Sequence, residues 1–294
     1  GYKLKSPSRA LQSLSGGIMN IAYKDGREFE LVYDPAKHSY TIDGKKIPAV
    51  TRVIDACFPK YLTDWAVKEG ADFFKQSLEP YKLAPTETAG TYMLPTKVVD
   101  HIHKGIQSAS KSISWDAAQV GNDVHEWIAG AIKLKIMGEN SRLAGAIEGI
   151  EQNNCIHAFK KWAYGCDIEW LKAEEKVYYN GTLDNNYSFA GTVDAVAMVD
   201  GKLCVIDFKT SKKVYKSYHL QVTAYAIAMQ MMLGGDLPMG IILRLDKETG
   251  EFQEKRFDPK AHVDTFFKCV ELKNWNTARI PEAKWDASIA GPDA

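Results

Sequence analysis

The dipeptide Asp200-Gly201, set between two runs rich in apolar and β-branched residues, most restricts what this chain can fold into. Asp-Gly between such runs is the strongest short-range signal for a β-hairpin. A symmetric turn places Met198 opposite Leu203 and Val196 opposite Val205. Asp194 then lies directly opposite Asp207, with Cβ atoms about 5 Å apart on one face. Two carboxylates so placed repel each other and require a compensating cation. Lys209 points to the same face if the strand continues, because side chains alternate with period two. A hard divalent ion compensates more fully than one ammonium. An Asp-Lys-Asp salt-bridge cluster is the competing reading of the same geometry.

The surrounding pattern predicts strands over about Glu174–Tyr179, Ser188–Val199 and Lys202–Phe208, then a helix over about Tyr218–Leu233. A hairpin, Met239–Leu245 with Glu251–Phe257, and a helix over about Ala261–Trp275 follow. Upstream, residues 1–17 are polar and Ser-rich and read as a flexible arm. Glu28–Val53 reads as short strands turning at Asp34-Pro35 and Asp43-Gly44. Helices are expected over Asp55–Ser77, about Thr96–Met137 with a break near Ser112–Ser114, and about Ala144–Tyr164. The expected organisation is an arm (1–17) and one domain (18–294), divided into an N-terminal hairpin and helical part (18–95) and a core (96–294).

Lys plus Arg and Asp plus Glu both number 37, so net charge does not support a protein that coats polyanions, and nucleic-acid contact must be local. The five cysteines are scattered, with no pair at C-x-x-C spacing. They read as reduced core thiols of an intracellular protein, without an iron–sulfur cluster or structural zinc site. The longest apolar run, Leu220–Leu233, is too short to cross a bilayer, so no membrane partner is expected. An N-terminus at Gly1, without Met or a signal-peptide core, reads as trimmed. Tyr92, Trp115 and Trp127 read as core residues rather than base-stacking platforms.

Three motifs follow one another in order: Gly191-Thr192-Val193-Asp194, then Asp207-Phe208-Lys209-Thr210-Ser211, then Gln221 and Tyr225. This succession resembles the PD-(D/E)XK nuclease superfamily, RecB-like branch, with its G-x-x-D strand, D-x-K strand and Q-x-x-x-Y helix. Gly121-Asn122-Asp123-Val124-His125 is similar to the family helix that bears a metal-binding His. Glu174 resembles the acid of the preceding strand. Pro48-Ala49-Val50-Thr51 resembles an entry segment of phage exonucleases and the mitochondrial genome maintenance exonuclease. The likeness covers roughly residues 40–233.

The resemblance implies an α/β restriction-endonuclease-like core, a mixed central sheet flanked by helices, with an N-terminal β-hairpin and helical additions. It implies that Asp194, Asp207, His125 and the carbonyl of Phe208 hold one or two Mg2+ or Mn2+ ions. Lys209 would position water or stabilise developing charge, and Glu174 would bind a metal-linked water or a second ion. Glu174 and Glu175 compete for that last role, since adjacent strand residues face opposite ways. Gln221 and Tyr225, with Thr210, Ser211 and Lys212, would contact substrate; ordinary helix-flank and loop polarity is the alternative for each. His125, by helical spacing alone, reads as a core histidine beside Ile128 and Ile132. The implied activity is exonucleolytic cleavage of DNA from single-stranded ends, leaving 5′-phosphates, with a recombination or single-strand-binding protein as a possible partner. The implied setting is a bacterial or phage-infected cytoplasm, with mitochondria as the alternative. A structure-specific endonuclease and a non-catalytic DNA-end-binding module are the competing functions.

Overall fold

A computed structural model describes residues 17–58, 63–79, 96–140, 145, 147–181 and 187–278. The Asp200-Gly201 turn forms as the sequence requires, with φ of +48° and +75°. It joins β6 (Phe189–Val199) to β7 (Lys202–Lys209), and the ladder pairs Val199 with Lys202, Met198 with Leu203, Val196 with Val205 and Ala195 with Ile206. β5 (Ile168–Tyr179) lies antiparallel to β6, and β8 (Met239–Leu245) runs parallel to β7 with β9 (Phe252–Phe257) at the edge. The result is a mixed five-stranded sheet in the order β5-β6-β7-β8-β9.

Period-two alternation gives the sheet two apolar faces, and helices cover both. Val196, Val205 and Ile242 meet α1 (Val50–Cys57), α5 (Lys216–Leu233) and α6 (Val263–Thr277). Ala197, Ile206, Phe208 and Leu243 meet α3 (Thr96–Ile136) and α4 (Ile150–Tyr164). α5 is the crossover that a parallel pair such as β7 and β8 needs. It is buried without interruption from Val222 to Met229, as expected of a helix packed on several sides. α2 (Thr63–Leu78) packs along α3. Among the described residues, no helix is long and apolar enough to cross a membrane.

The N-terminal strands form a four-stranded antiparallel sheet: β1 (Gly17–Ala22), β2 (Glu28–Asp34), β3 (Ser39–Ile42) and β4 (Lys45–Ile47). It shares a core with Tyr178 and Ala190 of the large sheet. Tyr23 Oη donates to the Tyr178 carbonyl at 2.8 Å, and the Ala190 amide donates to the Pro48 carbonyl at 3.0 Å.

Several expectations need correction. β1 has no counterpart in the sequence reading, because Ile21 is its one fully buried residue and its alternation is weak. Val50–Val53 is helical, not extended: Val50, Val53 and Ile54 are buried at i, i+3 and i+4 against α5 and α6, and this packing outweighs β-branched propensity. β5 starts six residues earlier than expected. α3 runs unbroken for 41 residues. α4 starts at Ile150 rather than Ala144, because Gly145 and Gly149 adopt φ of +85° and +93°. Trp115 is 71% exposed rather than core, while half-buried Trp127 donates to the Gly145 carbonyl. Tyr92, residues 1–16 and the break's side chains at Ser112 and Ile113 lie outside what is described.

The turn offers a clean test of register control. A Cβ at Gly201 would meet no atom within 4 Å, so substitution there acts only through the backbone. Gly201→Val should therefore lower stability by about 1–2 kcal/mol, read as a lower urea midpoint at constant slope, with Gly201→Asn costing less.

Candidate functional site

The β6–β7 ladder ends one pair before Asp194 and Asp207 would face each other. Where the strands part, the Asp194 carboxylate takes over from the ladder: its Oδ2 accepts the Phe208 backbone N–H at 2.8 Å. The same oxygen lies 3.4 Å from Nδ1 of His125 on α3. Asp207 is fully buried, and Lys209 folds back on it, with Nζ 3.0 Å from Oδ1 and 2.8 Å from Oδ2. Only the contact to Oδ1 has hydrogen-bond geometry. Among the described residues, Asp207 Oδ2 is the one buried side-chain oxygen or nitrogen without a hydrogen-bond partner.

Helix α5 fixes the ammonium from the other side. Gln221 Oε1 accepts from Lys209 Nζ at 3.1 Å, Gln221 Nε2 donates to Tyr225 Oη at 3.1 Å, and the Tyr218 ring lies 4.8 Å from the ammonium. Tyr225 reaches this position because residue 191 is glycine: a Cβ there would stand 2.6 Å from the Tyr225 ring. The motif glycine is thus required by close approach and not by a turn.

Side-chain exposure rises from 1% at Asp207 through 17% at Lys209 and 20% at Asp194 to 34% at His125, so the cluster opens on the Asp194–His125 side. There it meets a cavity of about 590 Å³ between the small sheet, α3, the middle of β5 and the first half of β6. Glu174 lines this cavity with Asp194, whereas Glu175 contacts Lys172 at 3.3 Å and does not line it. Glu174 adopts φ +51° and is bound by Lys133 at 2.6 Å.

The electrostatics follow from these contacts. Burial raises the pKa of Asp207 to about 6; repulsion from Asp194 adds to this and Lys209 opposes it. Burial acts in the same direction on Asp194, but His125, Lys209 and the Phe208 N–H outweigh it and hold that carboxyl below the usual range. His125 is raised, attraction to Asp194 overcoming desolvation. Lys209 is raised too, because Asp207 and Asp194 overcome its burial. Burial lifts the Tyr225 phenol far above its ordinary range.

The structure therefore gathers Asp194, Asp207, Lys209, His125, Gln221 and Tyr225, with Glu174 across the cavity. Phe208 contributes its amide to Asp194, and its ring packs edge-on to His125. Thr210 Oγ1 lies against Gly121 at the cavity edge. Ser211 does not turn toward the cluster: its Oγ donates to the Lys213 carbonyl and its own carbonyl accepts from Arg244 Nε. Lys212 is exposed. The sequence reading missed Tyr218, three residues before Gln221 on one helix face, and Lys176, two residues after Glu174 on one strand face. Those spacings were the available signals.

Among the described residues, no three His, Cys, Asp or Glu side chains already converge as a metal cage. A hard cation that keeps several waters does not need one, and one or two carboxylates suffice. Asp207 Oδ2, which has no hydrogen-bond partner, together with Asp194 and His125 at the cavity edge, fits such an ion.

The sequence profile of the PD-(D/E)XK nuclease superfamily matches residues 101–286. The chain belongs to this superfamily. PD-(D/E)XK proteins are in general metal-dependent nucleases, and the mixed sheet with flanking helices is their fold. A solved structure described as "Crystal structure of SSO0001" is similar at 17% identity and a TM-score of 0.29, over 47% of this chain and 65% of that one. The chain thus spans just under two thirds of that protein's length. No curated protein matches it in sequence.

A buried carboxyl with a raised pKa makes a testable demand on stability. The folded value near 6 exceeds the ordinary 3.8, so the contribution of Asp207 is fully favourable below about 3.8 and is lost as pH rises through about 6. In chelator at pH 8, Asp207→Asn should raise Tm by about 2 °C or more, and the gain should shrink at pH 5. Equal destabilisation at both pH values would show that the Lys209 pair makes the charge a net stabiliser.

Proposed function

We propose that this PD-(D/E)XK protein is a RecB-like exonuclease that hydrolyses DNA phosphodiesters from single-stranded ends, leaving 5′-phosphates, and that residues 18–294 act as one domain. The observation that carries the reading is the Asp207 carboxylate, wholly buried, with one oxygen in ion-pair contact with Lys209 but without a hydrogen-bond partner. A protein maintaining only its fold gains little from such a group, since an apolar replacement is commonly neutral or stabilising. The order of the G-x-x-D, D-x-K and Q-x-x-x-Y motifs supports the RecB-like branch.

Asp194 and Asp207, with His125 and the Phe208 carbonyl, would hold Mg2+ or Mn2+, and Glu174 would serve its outer side. When bound, the cation supplies Lewis acidity to the phosphoryl group and lowers the pKa of the attacking water. Lys209 stays protonated, because the two carboxylates outweigh its desolvation. It therefore acts as a fixed positive charge rather than a base, stabilising negative charge as it develops. Gln221 and the Tyr218 face hold that charge in place, so little reorganisation accompanies the reaction. His125 orients the Asp194 carboxylate from α3 while the Phe208 N–H holds it from β7.

Time-resolved cleavage of end-labelled single- and double-stranded DNA, with Mg2+, Mn2+ or EDTA, tests the reading. Metal-dependent release of mononucleotides or short oligonucleotides is expected. Asp207→Ala and Lys209→Ala should each reduce it by about 100-fold or more. Discrete internal cuts would favour an endonuclease. DNA binding without cleavage would contradict the enzyme.

A further inference from the structure

The small sheet lies outside the segment that matches the superfamily, yet it forms one wall of the cavity. Tyr33 and Tyr40 are direct partners across β2 and β3, with ring centroids 4.9 Å apart. Tyr40 is 6% exposed, and its Oη lies 2.9 Å from Thr192 Oγ1, which anchors the aromatic pair to β6. Tyr33 remains half-buried at the cavity, with its Oη 3.2 Å from His38 Nδ1. The Lys176 ammonium stands 4.8 Å from the Tyr33 ring centroid.

This aromatic and basic row is in register with the acidic one. Lys176 pairs with Thr192 across β5 and β6, and each is two residues from the cavity acid of its own strand, Glu174 or Asp194. Two residues of strand span about 7 Å, the scale of a single nucleotide step. A ring and a rim imidazole, on a wall that the superfamily match does not include, and a cation from β5 therefore stand beside the candidate cleavage centre.

We propose that Tyr33 and Lys176, backed by Tyr40, form a subsite for the nucleotide next to the scissile phosphodiester: its base stacks on Tyr33 and a phosphate pairs with Lys176. The proposal rests on the nuclease reading and adds the source of its strand preference. A base inside a duplex already stacks on its neighbours, so only an unpaired or frayed nucleotide can offer its face to Tyr33. The Lys176–Tyr33 contact keeps ring and cation together before substrate arrives. An incoming phosphate then draws the flexible ammonium off the ring face that the base takes.

Steady-state cleavage of a single-stranded oligonucleotide in Mg2+ tests this. Tyr33→Ala should raise KM about tenfold with kcat within a factor of three, while Tyr33→Phe, which keeps the ring, should behave as wild type. Lys176→Ala should weaken binding and flatten the dependence of log Kd on log salt by about 0.7, the share of one phosphate contact. An unchanged KM in Tyr33→Ala would overturn the subsite and leave the nuclease reading intact. A wild type that cuts nothing would overturn that reading, and fluorescence anisotropy with the same oligonucleotide would then decide the subsite. There, equal affinity in wild type and Tyr33→Ala, or no binding by either, would overturn it.

Discussion

A carboxylate with 1% side-chain exposure, bound to a lysine with 17%, is the interaction around which this structure is organised. Removing two charges from water costs several kcal/mol per ion unless geometry and further hydrogen bonds offset it. Here the offset is incomplete: Lys209 satisfies one Asp207 oxygen, Gln221 and Tyr218 steady the lysine, and the second oxygen has no hydrogen-bond partner. The fold thus holds local electrostatic strain where the cavity begins. Asp194 is held differently, by an imidazole and a backbone amide, so the two carboxyl pKa values shift in opposite directions although one hairpin carries both.

Placement follows from topology. β7 is parallel to β8, which obliges the chain to leave the carboxyl end of β7 and return through α5. Open α/β sheets bind ligands beyond the carboxyl ends of their strands, and Asp207 and Lys209 occupy that end of β7. α5 then brings Tyr218, Gln221 and Tyr225 back over the lysine, and Gly191 leaves the space that Tyr225 fills. The opposite layer supplies His125 from α3, and the small sheet closes the cavity beside it. Three layers therefore converge on one strand end.

Much of this was legible in the sequence where the determinant was local. Asp200-Gly201 set the hairpin register residue by residue, and the apolar run after Tyr218 marked α5. The turn could not show that Asp194 would leave the ladder to bond the Phe208 amide, nor that His125, 69 positions upstream, would meet the same oxygen. Glu174 was chosen over Glu175 by motif spacing; its place on the cavity wall, its positive φ and its bond to Lys133 are tertiary outcomes. Ser211 looked like a substrate contact because it follows the lysine, yet Arg244 of β8 draws that loop away. β1 and α1 were missed for a related reason: their identity is decided by the layer they pack on and not by their own pattern.

The nuclease chemistry requires that the Asp194–Asp207 cluster take a divalent cation. Thermal unfolding across a Mn2+ titration addresses this without substrate. The wild type should show a saturable onset and then a Tm that climbs with the logarithm of metal concentration, as expected for a ligand bound only by the folded state. Asp194→Ala and Asp207→Ala, both folded in chelator, should lose that climb. The same metal-dependent rise in wild type and both variants would place the ion elsewhere and contradict the account.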